Sequence, residues 1–272
     1  ENSKQISMTS LSFIFKLYKK GFIEKDALYD ELGNIIDNSS EYQSWFYPEL
    51  IEIKDNNNMK MTKKVNQFIK TYLPDKIELY KQMRDSGEPD DEITKALRND
   101  DVDTFQRILS KSNCNISKSF VPFNIFEDFI DNGKTRYINY AAAYGSIKCF
   151  KYLLLNHDKI DSLTFSYSIY GGNVEIIKIV DQKVKEEKIK YSSNNIIPSI
   201  IKHRNDIFDW ILNENYSGKE INNSELLDLI HISVKNGNAH SFIEIIDKGF
   251  NFLNNESIFE SLINHSINRV YY

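Results

Sequence analysis

Apolar residues recur along much of this chain at the three- and four-residue spacing of amphipathic helices. The first such face ends at Lys19 and Lys20, and Gly21 follows as a typical helix stop signal. The apolar residues of that face are Leu11, Ile14, Phe15 and Tyr18. This pattern predicts a helix near the start of the chain.

The same periodicity predicts further helices before residue 90. One covers residues 24–37, and another begins near Pro74, a favourable first-turn residue, and ends at Gly87. A third has its apolar face at Val65, Phe68, Ile69 and Tyr72. Residues 1–90 are therefore predicted to be a helical N-terminal region of antiparallel helix pairs, and this region is a candidate cap for the rest of the chain.

From residue 91 onward, one layout recurs about five times: a short helix, a turn residue and a second helix with apolar positions at i, i+3 and i+6 or i+7. The first interval between turn residues is the longest, which predicts an insertion near residues 110–134. The turn residues are Asp100, Gly145, Gly172, His203 and Gly237.

Each part of this layout has a physical reason. Glycine at the turn can take the left-handed conformation that reverses the chain, and Asp and His tolerate it better than most residues. A residue with a side-chain oxygen follows four of the turns, where it can cap the second helix. These predicted caps are Asp101, Ser146, Asn173 and Asn238. Small side chains at Ala141 and Ala142 favour close helix approach.

The repeated segments resemble the ankyrin repeat family. The best match is "DLIHISVKNGNAHSFIEIIDKGFNF", Asp228 to Phe252, where His231 takes the family's His position and Lys248 with Gly249 ends the unit. No copy carries the family's Thr-Pro dipeptide, and His203 replaces a turn glycine. The resemblance implies hydrogen bonding by His231 within its repeat.

The fold that this resemblance implies is all-α: a helical solenoid of about five degenerate ankyrin-like repeats over residues 91–272, preceded by the helical region 1–90. Divergent ankyrin proteins of this type are expanded in some unicellular eukaryotes. In such proteins, stacked short helices and turn tips form a concave surface that binds other proteins.

Composition restricts the partners. The chain has 34 Lys and Arg against 39 Asp and Glu, a net charge of -5, which does not favour nucleic acid. The most basic window, residues 60–84, is interpreted as a solvated helix face. Two cysteines cannot build a disulfide framework and favour a reducing, cytoplasmic location. No apolar run approaches the ~20 residues of a membrane span.

Motifs for chemistry are missing from the sequence. It contains no phosphate-binding, zinc-protease or serine-hydrolase motif, and the acidic stretch at 99–103 lacks the Gly and the Glu of a calcium loop. The five histidines lack metal-ligand spacing, and Cys149 fits helix packing better than a nucleophile's role. We therefore expect a non-catalytic protein without cofactor or metal.

The leading hypothesis is a protein-interaction module or scaffold. The family resemblance places its contacts just before the turn residues and on the fingers, the loops that precede each repeat. Tyrosine suits such contacts, because it offers a large contact area at low entropic cost. The predicted contact residues are Ala143, Tyr144, Tyr170, Lys202, Lys235 and Asn236, with Arg136 and Lys159 near the fingers.

Two alternatives stay open. The protein could be a permanent subunit of a cytoskeletal or flagellar assembly, in which aromatic residues outside the repeats would be buried against neighbouring subunits. Those residues include Trp45, Phe46, Tyr47, Tyr271 and Tyr272. Alternatively, residues 1–90 could carry an enzymatic activity, although no motif supports this.

Overall fold

The computed structural model describes residues 8–24, 26–28, 45–51, 67, 70–71, 76–112, 116, 119–127, 135–156, 158–187, 193–216 and 223–248. Regular structure in these ranges is helical, apart from one isolated antiparallel bridge between Phe120 and Arg136. The all-α prediction is therefore confirmed for the described part of the chain.

The helices follow one another with short connections where the helical layout repeats. In chain order they are α1 (Met8–Lys19), α2 (Tyr47–Ile51), α3 (Ile77–Ser86), α4 (Glu92–Arg98), α5 (Val102–Ser112), α6 (Tyr137–Tyr144), α7 (Ile147–Leu155), α8 (Ser162–Gly171), α9 (Val174–Glu186), α10 (Ser193–Ile201), α11 (Asn205–Tyr216), α12 (Asn223–Asn236) and α13 (Ala239–Asp247).

The chain divides into two compact units. The first comprises Glu1–Ala96 and Phe120–Arg136, and the second comprises Leu97–Ser119 and Tyr137–Tyr272. Most of the segment in which an insertion was predicted, near 110–134, thus belongs to the first unit. The predicted domain boundary at residue 90 stays a prediction.

In the first unit, helix ends follow the predicted glycine signals. Gly21 after α1 and Gly87 after α3 both have left-handed backbone angles, with φ of 74° and 66°. The Gly87 N–H donates to the Met83 carbonyl, so the glycine closes the helix. Most of the predicted helix at 24–37, the apolar face of Val65 to Tyr72, and Pro74 lie outside the described residues.

A buried arginine organises the core of the first unit. The Arg84 guanidinium donates to both carboxylate oxygens of Glu49, at 2.7 and 2.9 Å, and to the Trp45 carbonyl at 3.0 Å. It also lies 3.8 Å from the centre of the Phe15 ring. Arg84 therefore does not belong to the solvated basic face predicted for residues 60–84. Its partner, Glu49, lies 35 residues away in sequence, beyond the reach of a local charge pattern.

The aromatic residues predicted to serve an assembly interface are partly core residues. Phe46 is fully buried and Trp45 is 4% exposed, and the Trp45 ring packs edge-on against Phe126 at 5.4 Å. These two side chains are buried within the first unit, so they provide no surface for a neighbouring subunit. Tyr47 is half-buried, and Tyr271 and Tyr272 lie outside the described residues.

Five times in the described ranges, two helices are joined by a residue in the left-handed region. The glycine turns have φ near 70°, and the two non-glycine turns have φ of 55° and 53°. The prediction that Asp and His substitute for glycine at these turns is confirmed. The five residues are Asp100, Gly145, Gly172, His203 and Gly237.

In the second unit, successive helix pairs pack against each other in chain order. The first helices α6, α8, α10 and α12 each contact the next, and the second helices α5, α7 and α9 do likewise, as do α11 and α13. Gly171 of α8 lies in close contact with α6: a Cβ atom there would overlap the Ala142 carbonyl and the Ala143 backbone. The predicted close packing of the alanine-rich helix is therefore seen against Gly171.

Three of the four predicted helix caps are confirmed. Asn173 accepts from the Glu175 and Ile176 N–H groups, while Asp101 and Asn238 accept from Thr104 and Ser241 respectively. The prediction for Ser146 is wrong, because its side chain makes no capping bond. The free N–H groups at the start of α7 are instead bound by a carboxylate from the preceding turn.

Candidate functional site

We call the residues from two before to one after each turn residue the turn row. It consists of residues 98–101, 143–146, 170–173, 201–204 and 235–238. Six of the eight contact residues predicted from sequence lie in this row. The left-handed turns and the stacking of the first helices determine where their side chains lie.

Asp100 joins the first turn to the next helix pair. Its Oδ1 accepts from the N–H groups of Lys148 and Cys149, at 2.8 and 3.0 Å. The carboxylate therefore caps α7 in place of Ser146, whose hydroxyl is directed to the Arg98 carbonyl at 3.5 Å. A negative charge at a helix N-terminus is also favoured by the helix dipole.

Cation–aromatic stacks connect neighbouring pairs within the turn row. The Arg98 guanidinium lies 4.8 Å from the centre of the Tyr144 ring, and the Lys202 ammonium lies 3.8 Å from that of Tyr170. Each stack contributes about 0.5–1 kcal/mol at a partly exposed site. Both tyrosines are half-buried, and the Tyr144 ring also packs against the Tyr140 ring at 4.7 Å, so part of each side chain still meets solvent.

The other predicted contact residues occupy different settings. Ala143 is only 6% exposed and offers little surface. Lys235 is exposed. The side-chain amide of Asn236 donates to the Ile232 carbonyl, and its main-chain carbonyl accepts a hydrogen bond from the His203 ring at 3.1 Å. His203 thus links the fourth turn to the end of α12.

The two predicted finger residues lie outside the turn row. Arg136 belongs to the first unit, where it forms the isolated bridge with Phe120. Lys159 is exposed between α7 and α8, and its backbone N–H donates to the Asp158 carboxylate at 2.9 Å. The structure therefore brings neither residue into the cation–aromatic stacks.

Arg204 is a turn-row residue that the sequence patterns did not single out. Its guanidinium lies directly against Gly172 of the previous turn, in space that a Cβ atom on that glycine would fill. Its Nε is buried, and no described residue accepts a hydrogen bond from it. A signal was present in the sequence: Arg204 stands where the other repeats carry Asp101, Ser146, Asn173 or Asn238, all with side-chain oxygens.

The charges of the turn row are unevenly distributed. From the second turn to the fifth, the row contains three permanently charged residues, all cations, in addition to His203. They are Lys202, Arg204 and Lys235. The acidic residues of the row, Asp100 and Asp101, stand at its first turn and are both used as helix caps. The later turns thus carry local positive charge within a chain of net charge -5.

Cys149 lies beneath the first turn and is fully buried. Burial, followed by the nearby Asp100 carboxylate, raises the pKa of the Cys149 thiol to about 12. The thiol is therefore protonated at neutral pH, where a nucleophile would need to be a thiolate. No group of three or more His, Cys, Asp or Glu side chains suited to a metal ion is present among the described residues.

His231 departs from the role that the family resemblance implies. It lies on an exposed position of α12, and within the described ranges its ring forms no hydrogen bond. At the corresponding position of the second copy, Asn139 accepts from the Thr164 hydroxyl at 2.7 Å. In the third copy, Ser166 accepts from the Asn195 amide at 2.9 Å. Polar bonding at this position therefore occurs in the earlier copies.

Comparison with known proteins gives no identification. No protein-family model matches this chain, and no curated protein matches its sequence. Within the described residues, none of the helices combines the length and the apolar character required to traverse a lipid bilayer.

Proposed function

We propose that this protein is a non-catalytic interaction module or scaffold, which binds a protein partner along the turn row on the concave face of an ankyrin-like solenoid. The observation that carries this proposal is the pair of cation–aromatic stacks, Arg98 with Tyr144 and Lys202 with Tyr170. They hold two half-buried tyrosines in position on one series of turns.

Rigid, partly exposed aromatic residues are the side chains that contribute most to protein interfaces, because they bury large areas with little loss of rotamer freedom. In the turn row, stacking under a cation already restricts each tyrosine side chain, so less rotamer freedom is lost when a partner binds. The packing of successive helix pairs in chain order supports the solenoid part of the proposal, since repeat proteins contact mainly their neighbours.

The test is quantitative affinity capture with the tagged full-length chain as bait, followed by mass spectrometry. We expect the double variant Tyr144→Ala/Tyr170→Ala to lose about tenfold or more of the bound partner, since each interface tyrosine is worth at least about 1 kcal/mol. Its free energy of unfolding should fall by about 1–2 kcal/mol through the loss of two cation–π contacts, and by about 0.5–1.5 kcal/mol more through the loss of the Tyr140–Tyr144 ring contact.

Leu155→Ala is the matched control, because Leu155 is 79% exposed on the second helix α7 and lies outside the turn row. It should capture the same partner as the unmodified chain. Unchanged capture by the double tyrosine variant would refute the proposal, and so would equal losses from the Leu155 control.

A second candidate is a structural subunit of a larger assembly. Phe13 and Phe22 favour it, since they are 61% and 75% exposed in the first unit, where large apolar side chains cost free energy in water. Size-exclusion chromatography of native lysate distinguishes the two functions. A persistent high-mass particle supports the structural subunit, whereas exchange between a monomer and its complexes supports the interaction module.

A further inference from the structure

The fourth turn directs its side chains in two directions. Lys202 and Arg204 reach back to the third turn, where they lie over Tyr170 and against Gly172 respectively. His203, between them in sequence, reaches forward to the Asn236 carbonyl. Two cationic groups are thus held over one turn by residues of the neighbouring helix pair. We refer to Lys202 and Arg204 as the cation pair.

Within the described ranges, Arg204 lacks the partner that a partly buried guanidinium normally has. Its Nε is buried without an acceptor, and none of the described residues gives it an ion pair. By contrast, Arg84 in the first unit is buried with a bidentate carboxylate. The Nε is covered by the protein itself, so an outside oxyanion would meet the two terminal nitrogens of the guanidinium.

Gly172 explains how the guanidinium keeps its position. A side chain at residue 172 would occupy the space of the Arg204 head group, so the glycine serves this contact as well as the left-handed turn at φ 70°. The planar guanidinium is thereby oriented before any ligand arrives. Its two terminal nitrogens carry four further N–H donors, which match the geometry of a carboxylate or phosphate.

We infer that the cation pair of Lys202 and Arg204 is the site at which the turn row binds an acidic segment of its protein partner, an inference that rests on the proposed function. The oxyanion lies against the Arg204 guanidinium, and the adjacent Tyr170 ring packs against the neighbouring partner residue. An acidic peptide fits better than nucleic acid, since the site has only two cations within an acidic chain.

The probe is a fluorescein-labelled dodecapeptide of alternating Glu and Gly, measured by fluorescence anisotropy against the full-length chain. Two further peptides replace every Glu with Gln or with phosphoserine, which separates the carboxylate from the phosphate as the source of the oxyanion. We expect the Glu or the phosphoserine peptide to bind and the Gln peptide not to bind.

Arg204→Gln should weaken binding of the acidic peptide about tenfold or more, because a charge-assisted contact is lost. Arg204→Lys, which keeps the charge without the planar fork, should fall between this variant and the unmodified chain. Lys178→Gln is the control: it removes one exposed cation from α9 and should bind as the unmodified chain does.

Failure of all acidic peptides to bind would overturn the inference, as would equal weakening by Arg204→Gln and Lys178→Gln. Tighter binding of a uridine dodecamer would assign the site to nucleic acid instead. The capture assay separates this inference from the proposed function. If the double tyrosine variant loses the partner while Arg204→Gln retains it, the turn row binds a protein without the acidic contact.

Discussion

Asp100 provides the sharpest test of how adjacent helix pairs are joined. It adopts a left-handed φ of 55°, a conformation that costs most residues free energy, and its carboxylate caps α7 through the Lys148 and Cys149 N–H groups. Replacement therefore changes two opposing contributions. Three variants separate them: Asp100→Gly, Asp100→Asn and Asp100→Ala.

The structure predicts the order of their effects on the free energy of unfolding. Loss of a charged cap with two hydrogen bonds costs about 2 kcal/mol. In Asp100→Gly about 1 kcal/mol of this loss is recovered, because glycine adopts the left-handed region without strain. The net loss in the free energy of unfolding is then about 1 kcal/mol. Alanine recovers nothing and should lose about 2 kcal/mol. Asparagine keeps the acceptor and should lose about 0.5 kcal/mol, mainly the interaction with the helix dipole.

Urea denaturation followed by far-UV circular dichroism measures these differences. Asp228→Ala serves as the control, because Asp228 is an exposed acidic residue on α12 and its loss changes the net charge equally. A glycine variant at residue 100 that is as stable as the unmodified chain, or more stable, would refute the reasoning. The carboxylate would then contribute nothing that outweighs its backbone strain.

Two further predictions concern close packing and the buried thiol. Gly171→Ala should lower the free energy of unfolding by about 2–3 kcal/mol in denaturant titrations, since its methyl group overlaps the Ala142 carbonyl. Gly21→Ala should lower it by about 1 kcal/mol, because the added methyl group lies in open space and only the φ of 74° is unfavourable. Burial raises the pKa of Cys149 in the folded protein to about 12, so the folded state favours the protonated thiol. The stability that this preference contributes is complete below the unfolded pKa of about 8.5 and is lost as pH rises toward 12. In a Cys114→Ser background, Cys149→Ala should therefore remove part of the alkaline loss of stability, and an unchanged pH profile would contradict this.

The turn positions are the part of the fold that sequence predicted best. Alignment of the copies placed Asp100 and His203 at glycine positions, and both have positive φ. This was possible because a tight reversal between two helices restricts its central residue through local backbone sterics. The same locality explains why the caps at Asn173 and Asn238 were predicted correctly.

Contacts between residues distant in sequence account for what was missed. The local capping rule selects Ser146, but stacking brings Asp100 to the same N–H groups from 48 residues away. Likewise, no sequence pattern indicates that Arg84 meets Glu49. The candidate site shows the same limit, since Tyr144 and Tyr170 follow from the repeat while the position of Arg204 depends on Gly172 in the preceding copy.

The two non-glycine turns also bear on whether the helix pairs are interchangeable modules. Asp100 and His203 reach the following pair through main-chain atoms, the Lys148 N–H and the Asn236 carbonyl, and every helix pair offers such atoms at its helix ends. Two of the glycine turns are matched by particular side chains instead: Asn173 donates to the Gly145 carbonyl, and Arg204 fills the space beside Gly172. Exchange of the following pair is therefore tolerated better at the first and fourth turns than at the second and third.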